Sequence, residues 1–308
     1  MLTSPFLSVI MPTYNGEKVI RRALDSVLDE NDFDLEVIVI DDGSDDETLS
    51  IVNTYSSLLP INIVSRERSR SWIEGTNIGL DAALGEYICF LHQDDFWLPG
   101  RLRMLHRMSE CYPSASVLVH PSIFVNQCGR SCGKWSCPFG SRERLISRPE
   151  VLNHLVVQNF VSIPAPAVRR EMAKNAAPLD NSLWFTADWK FWLTIDGMWA
   201  YCPQPYSAFR IHQESQTSKY SKNSALFREQ LVRASIDFLP LVSLDVQRAA
   251  LFNIELNILL AAIFHSESCN TRQFLQSVAT AGSAGICRAA YSSRIFERTI
   301  SRIRAGLR

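Results

Sequence analysis

The chain of 308 residues carries 31 Lys+Arg against 32 Asp+Glu, and 46% of its residues are apolar. That length corresponds to about two domains and can bury a large core without disulfides or a structural metal. The balanced charge excludes a general nucleic-acid binder, which needs surplus Lys and Arg to neutralise phosphates, and the composition is globular, not disordered.

The first 120 residues alternate between two periodicities. Leu7 to Met11 is an apolar run closed by Pro12 and reads as a buried strand. Glu17 to Glu30 places Val19, Ile20, Ala23, Leu24, Val27 and Leu28 at helical spacing. Leu35 to Ile40 is a second strand ending abruptly in acids, and Asp45 to Tyr55 a helix for which Ser44 and Glu47 suggest a capping box. Ile61 to Ser65 predicts a third strand, Gly75 to Leu84 a helix stopped by Gly85, Glu86 to Leu91 a fourth strand, and Pro99 to Cys111 a helix. Alternating β and α units imply an α/β fold with a mainly parallel sheet flanked by helices. From Val117 to Arg148 the pattern loosens into loop. Pro166 to Arg169 reads as a short strand, Ala187 to Ile195 as a helix, and Tyr201 to Arg210 as an extended pair. The tail from about Lys222 reads as two to four appended helices.

The eight cysteines are scattered, and Cys128, Cys132 and Cys137 fit no zinc spacing with a paired C-x-x-C. The N-terminal segment lacks a basic region and a small-residue cleavage site, so a cytoplasmic, thiol-reducing setting is expected. The best apolar run, Leu256 to Ser266, is bounded by Glu255 and Glu267 and reads as too short for a membrane span.

In a parallel sheet of this kind ligands bind beyond the carboxyl ends of the strands. Three strands end there in polar clusters: Thr13-Tyr14-Asn15, Asp41-Asp42-Gly43-Ser44 and His92-Gln93-Asp94-Asp95. Adjacent carboxylates can accept from ribose hydroxyls or a base N–H, or hold a hard divalent cation bridging substrate phosphates. A turn with a helix cap would equally account for the second cluster. The third is followed at once by Phe96-Trp97-Leu98-Pro99, which does not suit plain solvated surface.

The residues SVIMPTYNGE at 8–17, VIVIDDGSDDET at 37–48 and NIGLDAALGEYICFLHQDDFWLPGRL at 77–102 together resemble the nucleotide-sugar-binding half of a family 2 glycosyltransferase with the GT-A fold. The likeness continues through Asp188 to Leu193 and Phe209 to Ser215. It implies a nucleotide-diphospho-sugar transferase type of fold and a catalytic domain over 1–220. Within it, a nucleotide-sugar half covers about 7–120 and an acceptor half about 121–220, followed by a C-terminal helical region over 221–308. It further implies that Pro12, Tyr14, Asn15 and Asn77 line the donor, that Asp42 bonds the base or ribose, and that Asp41 supports its loop.

The family's D-x-D triplet falls on His92, Gln93 and Asp94, which makes Asp94 the expected metal ligand for Mn²⁺ or Mg²⁺. His92 replaces the commoner acid; imidazole suits Mn²⁺ better than Mg²⁺, or it could donate to a ribose or phosphate oxygen. His212, in an R-x-H-x-x-S segment, is a second candidate ligand or phosphate contact. Thr76 stands where similar enzymes often carry arginine, and Arg68 or Arg70 is a candidate substitute. Asp188 takes the place of the family's catalytic base, with Ala187 before it where a glutamate is common. The resemblance implies inverting transfer from a UDP- or dTDP-linked sugar to a glycan or lipid-linked saccharide of a surface polysaccharide. A non-catalytic carbohydrate-binding scaffold and a nucleotidyltransferase are the competing readings. Gly75, Gly79 and Gly85 form no phosphate-cradling motif and read as helix-boundary residues.

Between Arg288 and Arg308 lie six arginines and one acid, Glu297. Arg294, Arg298 and Arg302 recur every four residues, with Ile295, Phe296, Thr299, Ile300, Ile303 and Leu307 on the other face. Such a helix can rest on an anionic membrane, here at the inner face of the cytoplasmic membrane, or simply pack its apolar side on the domain.

Overall fold

A computed structural model describes residues 4–212, 223–265 and 271–306. Leu7–Thr13 (β1) and Leu35–Asp41 (β2) pair in parallel, with Ile61–Ser65 (β3) outside β2 and Tyr87–Phe90 (β4) on the other side of β1. β1 and β4 are buried along their whole length, which is why they read as unbroken apolar runs. Successive side chains leave opposite faces of the sheet. Ile10, Ile38, Ile40, Ile88 and Phe90 therefore join one core, while Val9, Met11, Val37, Val39 and Cys89 join the other.

The segment expected to be loop holds four strands: Ala115–Val119 (β6), Ser122–Val125 (β7), Ser131–Trp135 (β8) and Arg144–Ile146 (β9). Phe96–Trp97 forms a further short strand, β5, between β4 and β6. With Ala167–Arg169 (β10), Met198–Tyr201 (β11) and Ser207–Arg210 (β12) they complete two sheets. The large one runs β3-β2-β1-β4-β10-β6-β11-β9, and the small one β5-β12-β7-β8. β10 lies antiparallel to both β4 and β6, so the sheet is mixed beyond its parallel first half.

Two glycines expected at helix boundaries lie inside a helix. Gly75 and Gly79 belong to Trp72–Ala82, where a Cβ on Gly79 would stand 2.4 Å from Ile10 Cγ2. They let this helix approach β1 and β2 closely. The helix starts earlier than expected because Ser71 caps it, its Oγ accepting from Glu74 N. Gly85 does not stop the helix but clears space for β1: its N–H donates to Ser8 Oγ at 2.8 Å, and a Cβ would meet Ser8 N at 2.6 Å.

The tail is mainly helical in its described part: Ser224–Ser235, Leu244–His265 and Ile295–Arg304 are α-helices, Thr271–Ser293 is helical with a kink at Gly282, whose backbone leaves the helical region at φ 60°, and Ile236–Leu241 is a 3₁₀ turn. Phe227, Leu231, Ala249 and Ile258 belong to the same core as Trp192 and Phe90. Leu244–His265 has 22 residues and is long and apolar enough to cross a membrane, which the bounded run in the sequence did not suggest. Yet 61% of its most apolar window is buried within the protein, and buried Glu255 bonds Arg228 Nε at 2.8 Å, so it packs as a core helix.

Candidate active site

The carboxyl ends of β1, β2 and β4 bring the three polar clusters together. Asn15, in the left-handed region at φ 43°, ties the first to the second. Its N–H donates to Ser44 Oγ at 3.0 Å, its Nδ2 to Asp45 Oδ1 at 2.7 Å, and its Oδ1 accepts from Asp45 N. Ser44 is therefore a loop bridge, not the expected helix cap: its Oγ donates to Asp41 Oδ1 at 2.5 Å, and the helix begins only at Thr48. Asp41 thus holds its own turn.

Asp42 organises the loop after β3. Its Oδ1 accepts from Ser69 N, Ser69 Oγ and Arg66 Nε at 2.9, 3.0 and 3.1 Å, and its Oδ2 from Arg70 N at 2.8 Å. A carboxylate offers about four acceptor sites, so lone-pair capacity for a base or ribose remains on Oδ2 and not on Oδ1. Of the two arginines considered in place of Thr76, it is Arg68 that reaches Tyr14, its guanidinium carbon 4.1 Å from the ring centroid. Thr76 is fully buried and donates to Trp72 O within its own helix. Pro12 is buried at the end of β1.

Gln93 and Asn77, both expected at the donor, use their amide groups on the fold. Gln93 Oε1 accepts from Tyr14 N at 3.0 Å while its Nε2 donates to Tyr14 O at 2.9 Å. Gly16 leaves room for this amide: a Cβ there would lie 2.4 Å from Gln93 Oε1 and push it off Tyr14. Asn77 pairs the same way with Leu179, and it lines a cavity of about 500 Å³ with Asp180, Lys190 and Thr194.

Asp94 and His212 meet across 118 positions of sequence, Oδ2 to Nε2 at 3.1 Å, with side chains 30% and 25% exposed. Burial pushes the Asp94 carboxyl up, but the His212 hydrogen bond and the His92 and His212 rings outweigh it and leave the group below its ordinary value. Asp95 moves well up, first by burial and then by the Asp94 charge. His92 is kept neutral by burial; its Nε2 is buried with no hydrogen-bond partner, and its ring stands 5.1 Å from Trp72. Among the described residues, no three His, Cys, Asp or Glu side chains gather as a metal cluster.

Arg210 was legible only as part of a motif, yet it locks this corner. Its N–H donates to Asp95 Oδ1 and its Nε to Asp94 O, both at 2.8 Å, and its Nη1 to Asn126 O and Gln127 O. Gln213, Glu214 and Ser215 of the same motif lie outside the described residues.

Asp188 opens the helix Ala187–Thr194, where the helix dipole favours a negative charge. Its Oδ2 accepts from Asn159 Nδ2 at 3.0 Å. Burial raises its pKa to about 6, against hydrogen bonds from Trp189 N and Asn159 that favour the ionised form. Trp72 connects this helix region to His92, its indole N–H donating to Trp184 O at 2.8 Å. Asn159 and Trp72 carry no catalytic signature in sequence; only the folded contacts disclose them.

A mixed sheet with ligand-competent loops at its carboxyl edge and appended helices is the GT-A type of α/β fold. Residues 8–127 match the family described as glycosyl transferase family 2. An uncharacterized glycosyltransferase of Nostoc sp. is 26% identical over 221 residues, 68% of this chain and 62% of that protein. An uncharacterized glycosyltransferase of Haemophilus influenzae is 24% identical over 256 residues, covering 80% and 78%. The chain therefore spans less than two thirds of the Nostoc relative. S. aureus TarS 1–349 in complex with UDP-GlcNAc is 18% identical with a TM-score of 0.65, over 97% of this chain and 89% of that one. The mannosyltransferase PcManGT from Pyrobaculum calidifontis, in complex with GDP-Man and Mn2+, gives 16% identity and a TM-score of 0.53, over 99% and 87%. These two likenesses speak to the fold.

Proposed function

We propose that the chain transfers a sugar from a nucleoside-diphosphate donor, UDP- or dTDP-linked, to a saccharide or lipid-linked saccharide acceptor with inversion of configuration. The observation that carries this reading is the Asp94–His212 pair, an acid and an imidazole converging 3.1 Å apart at the end of β4. Asp94 and His212 would hold a divalent cation beside the donor diphosphate, and imidazole favours Mn²⁺ over Mg²⁺. Such an ion would supply neutralisation of the charge that develops on the departing diphosphate.

The protein's own groups do the rest. Tyr14 and Pro12 offer the base an aromatic and an apolar wall, and the open lone pair of Asp42 Oδ2 accepts from the base or ribose. Asp188, with a pKa of about 6, is ionised at neutral pH yet basic enough to take the proton of an acceptor hydroxyl as it attacks the anomeric carbon. Inversion follows from a single displacement, with the acceptor entering opposite the diphosphate.

The PcManGT complex contains GDP-Man and Mn2+ and the TarS complex UDP-GlcNAc, which supports a nucleotide-sugar donor and a cation here. Thermal-shift screening of nucleotide sugars selects the donor, and nucleoside diphosphate release is then followed with Mn²⁺ and with chelator. Release that depends on metal and is lost in Asp94→Asn and His212→Ala is the expected result. A protein that binds a sugar nucleotide but releases no diphosphate under any condition would instead be a non-catalytic binding homologue.

A further inference from the structure

The last helix, Ile295–Arg304, sits opposite to the orientation its charge pattern suggests. Ser301 is buried against the small sheet, and a Cβ on Gly133 of β8 would stand 2.1 Å from its Oγ, so the helix lies hard on that strand. Arg298 turns inward with it, its guanidinium pushed down to about 9 by burial and then by the Arg302 charge. What faces outward is apolar: Phe296 is 75% exposed, Ile300 47% and Ile303 60%. These positions, four and three residues apart, form one stripe along the helix. The expectation of an outward arginine row over an inward apolar face is thus reversed for Arg298.

Cations nonetheless surround the stripe. Arg288 and Arg304 are exposed, and residues 271–304 contain six arginines against the single acid Glu297. Tyr291, 48% exposed, holds its ring under the Arg294 guanidinium at 4.7 Å. At the far end of the helix Ala305 packs against the cluster of Phe124, Cys132 and Ile211, the last being the residue before His212. The helix is therefore joined to the corner where Asp94 and His212 meet.

We propose that Phe296, Ile300 and Ile303 insert into an anionic lipid surface, with Arg288 and Arg304 meeting its headgroups. Apolar side chains reaching the acyl boundary, flanked by cations with no exposed acid on the same helix, are the pattern by which an interfacial helix binds anionic lipid. A second copy of the chain is the poorer occupant. An isologous contact would set the arginine-rich region against itself, and three side chains fall far short of the roughly 800 Å² per partner that a stable dimer buries. This surface stands independently of the transfer reaction, so its test uses binding and not turnover.

The full chain is sedimented with phosphatidylcholine vesicles, with and without about a third phosphatidylglycerol. Binding is expected only with the anionic lipid, and it should weaken as salt rises from about 0.1 to about 0.5 M. The triple variant Phe296→Ser, Ile300→Ser, Ile303→Ser should lower the partition coefficient about tenfold or more, and Arg288→Gln with Arg304→Gln should lower it too. All five positions are exposed, so thermal midpoints near wild type are expected and show that the variants fold. Equal partitioning of wild type and both variants would overturn the proposal. So would salt-insensitive binding to neutral vesicles, or a dimer in light scattering that the triple variant dissolves while vesicles bind neither protein.

Discussion

Replacing Asp188 by asparagine should stabilise the protein and abolish transfer together. The buried carboxyl titrates at about 6 against a reference of 3.8. Each unit is worth about 1.4 kcal/mol, so the ionised form costs the native state about 3 kcal/mol, a ceiling that partial exposure of the residue lowers. The sign follows from proton counts. Between about pH 4 and pH 6 the native state keeps a proton that the unfolded chain has released, so stability falls as pH rises through that window and stays lower above it. Integrating this single group gives a loss of about 1.4 kcal/mol between pH 5 and pH 8. Asparagine does not titrate, and its Oδ1 can still accept from Asn159, although its own amide N–H groups gain no assured partner, at a cost of about 1 kcal/mol. Urea unfolding of both proteins at pH 5 and pH 8 isolates the effect, because every other titrating group cancels in the difference. The variant's relative stability should rise by about 1 kcal/mol from pH 5 to pH 8, while turnover at pH 8 falls by about 10²–10⁴. A stability difference that does not change with pH would refute the burial argument, and undiminished turnover would remove Asp188 as the base.

Three further outcomes follow from individual contacts. Asn159→Ala removes a donor that favours the ionised carboxylate, so the acid limb of the rate–pH profile should move above 6 without loss of donor binding in titration calorimetry. Gly79→Ala forces a methyl group to within 2.4 Å of Ile10 Cγ2 and 2.9 Å of Ile40 Cδ1, and denaturant unfolding should show a loss of about 1–3 kcal/mol. Arg210→Met strips three side-chain hydrogen bonds from the Asp94, Asn126 and Gln127 carbonyls and leaves Asp95 without a compensating charge, while the backbone N–H of residue 210 still donates to Asp95 Oδ1. It should cost about 2–4 kcal/mol by the same measurement and weaken Mn²⁺ retention with it.

The parallel half of the sheet was legible because burial on both faces forces long apolar runs, and the helices between them must show a helical stripe. The stretch from Val117 to Arg148 was not. β8 and β9 have mostly exposed or half-buried residues, and three to five positions give too little alternation to register. The start of the helix at Trp72 was recoverable, since Ser71 and Glu74 stand at capping-box spacing; apolar periodicity drew attention to Gly75 instead. In the candidate site, residue types pointed to strand ends that the fold brings together but not to the contacts each side chain makes. Gln93 and Asn77 look like ligand contacts because amides often are, yet their partners are peptide groups of segments distant in sequence. No local pattern records a long-range hydrogen bond.

The two ends of the candidate site differ in character. Asp41 accepts from Ser44 in its own turn and Asp42 from Ser69, Arg66 and Arg70 in the loop after β3, so the fold fixes both positions while acceptor capacity remains on Asp42 Oδ2. Asp94, His92 and Asp95 differ: the Asp94 carboxylate accepts from His212 Nε2, the buried His92 Nε2 lacks a partner, and Asp95 Oδ2 is unsatisfied. Buried polar atoms without partners are costly, and they persist where a ligand supplies what the fold withholds. Under the proposed donor placement, the base would meet loops already tied in place, whereas the diphosphate would meet the part of the site left electrostatically incomplete. Catalysis by charge stabilisation needs that division, because interactions completed only at the diphosphate act on the bond that breaks.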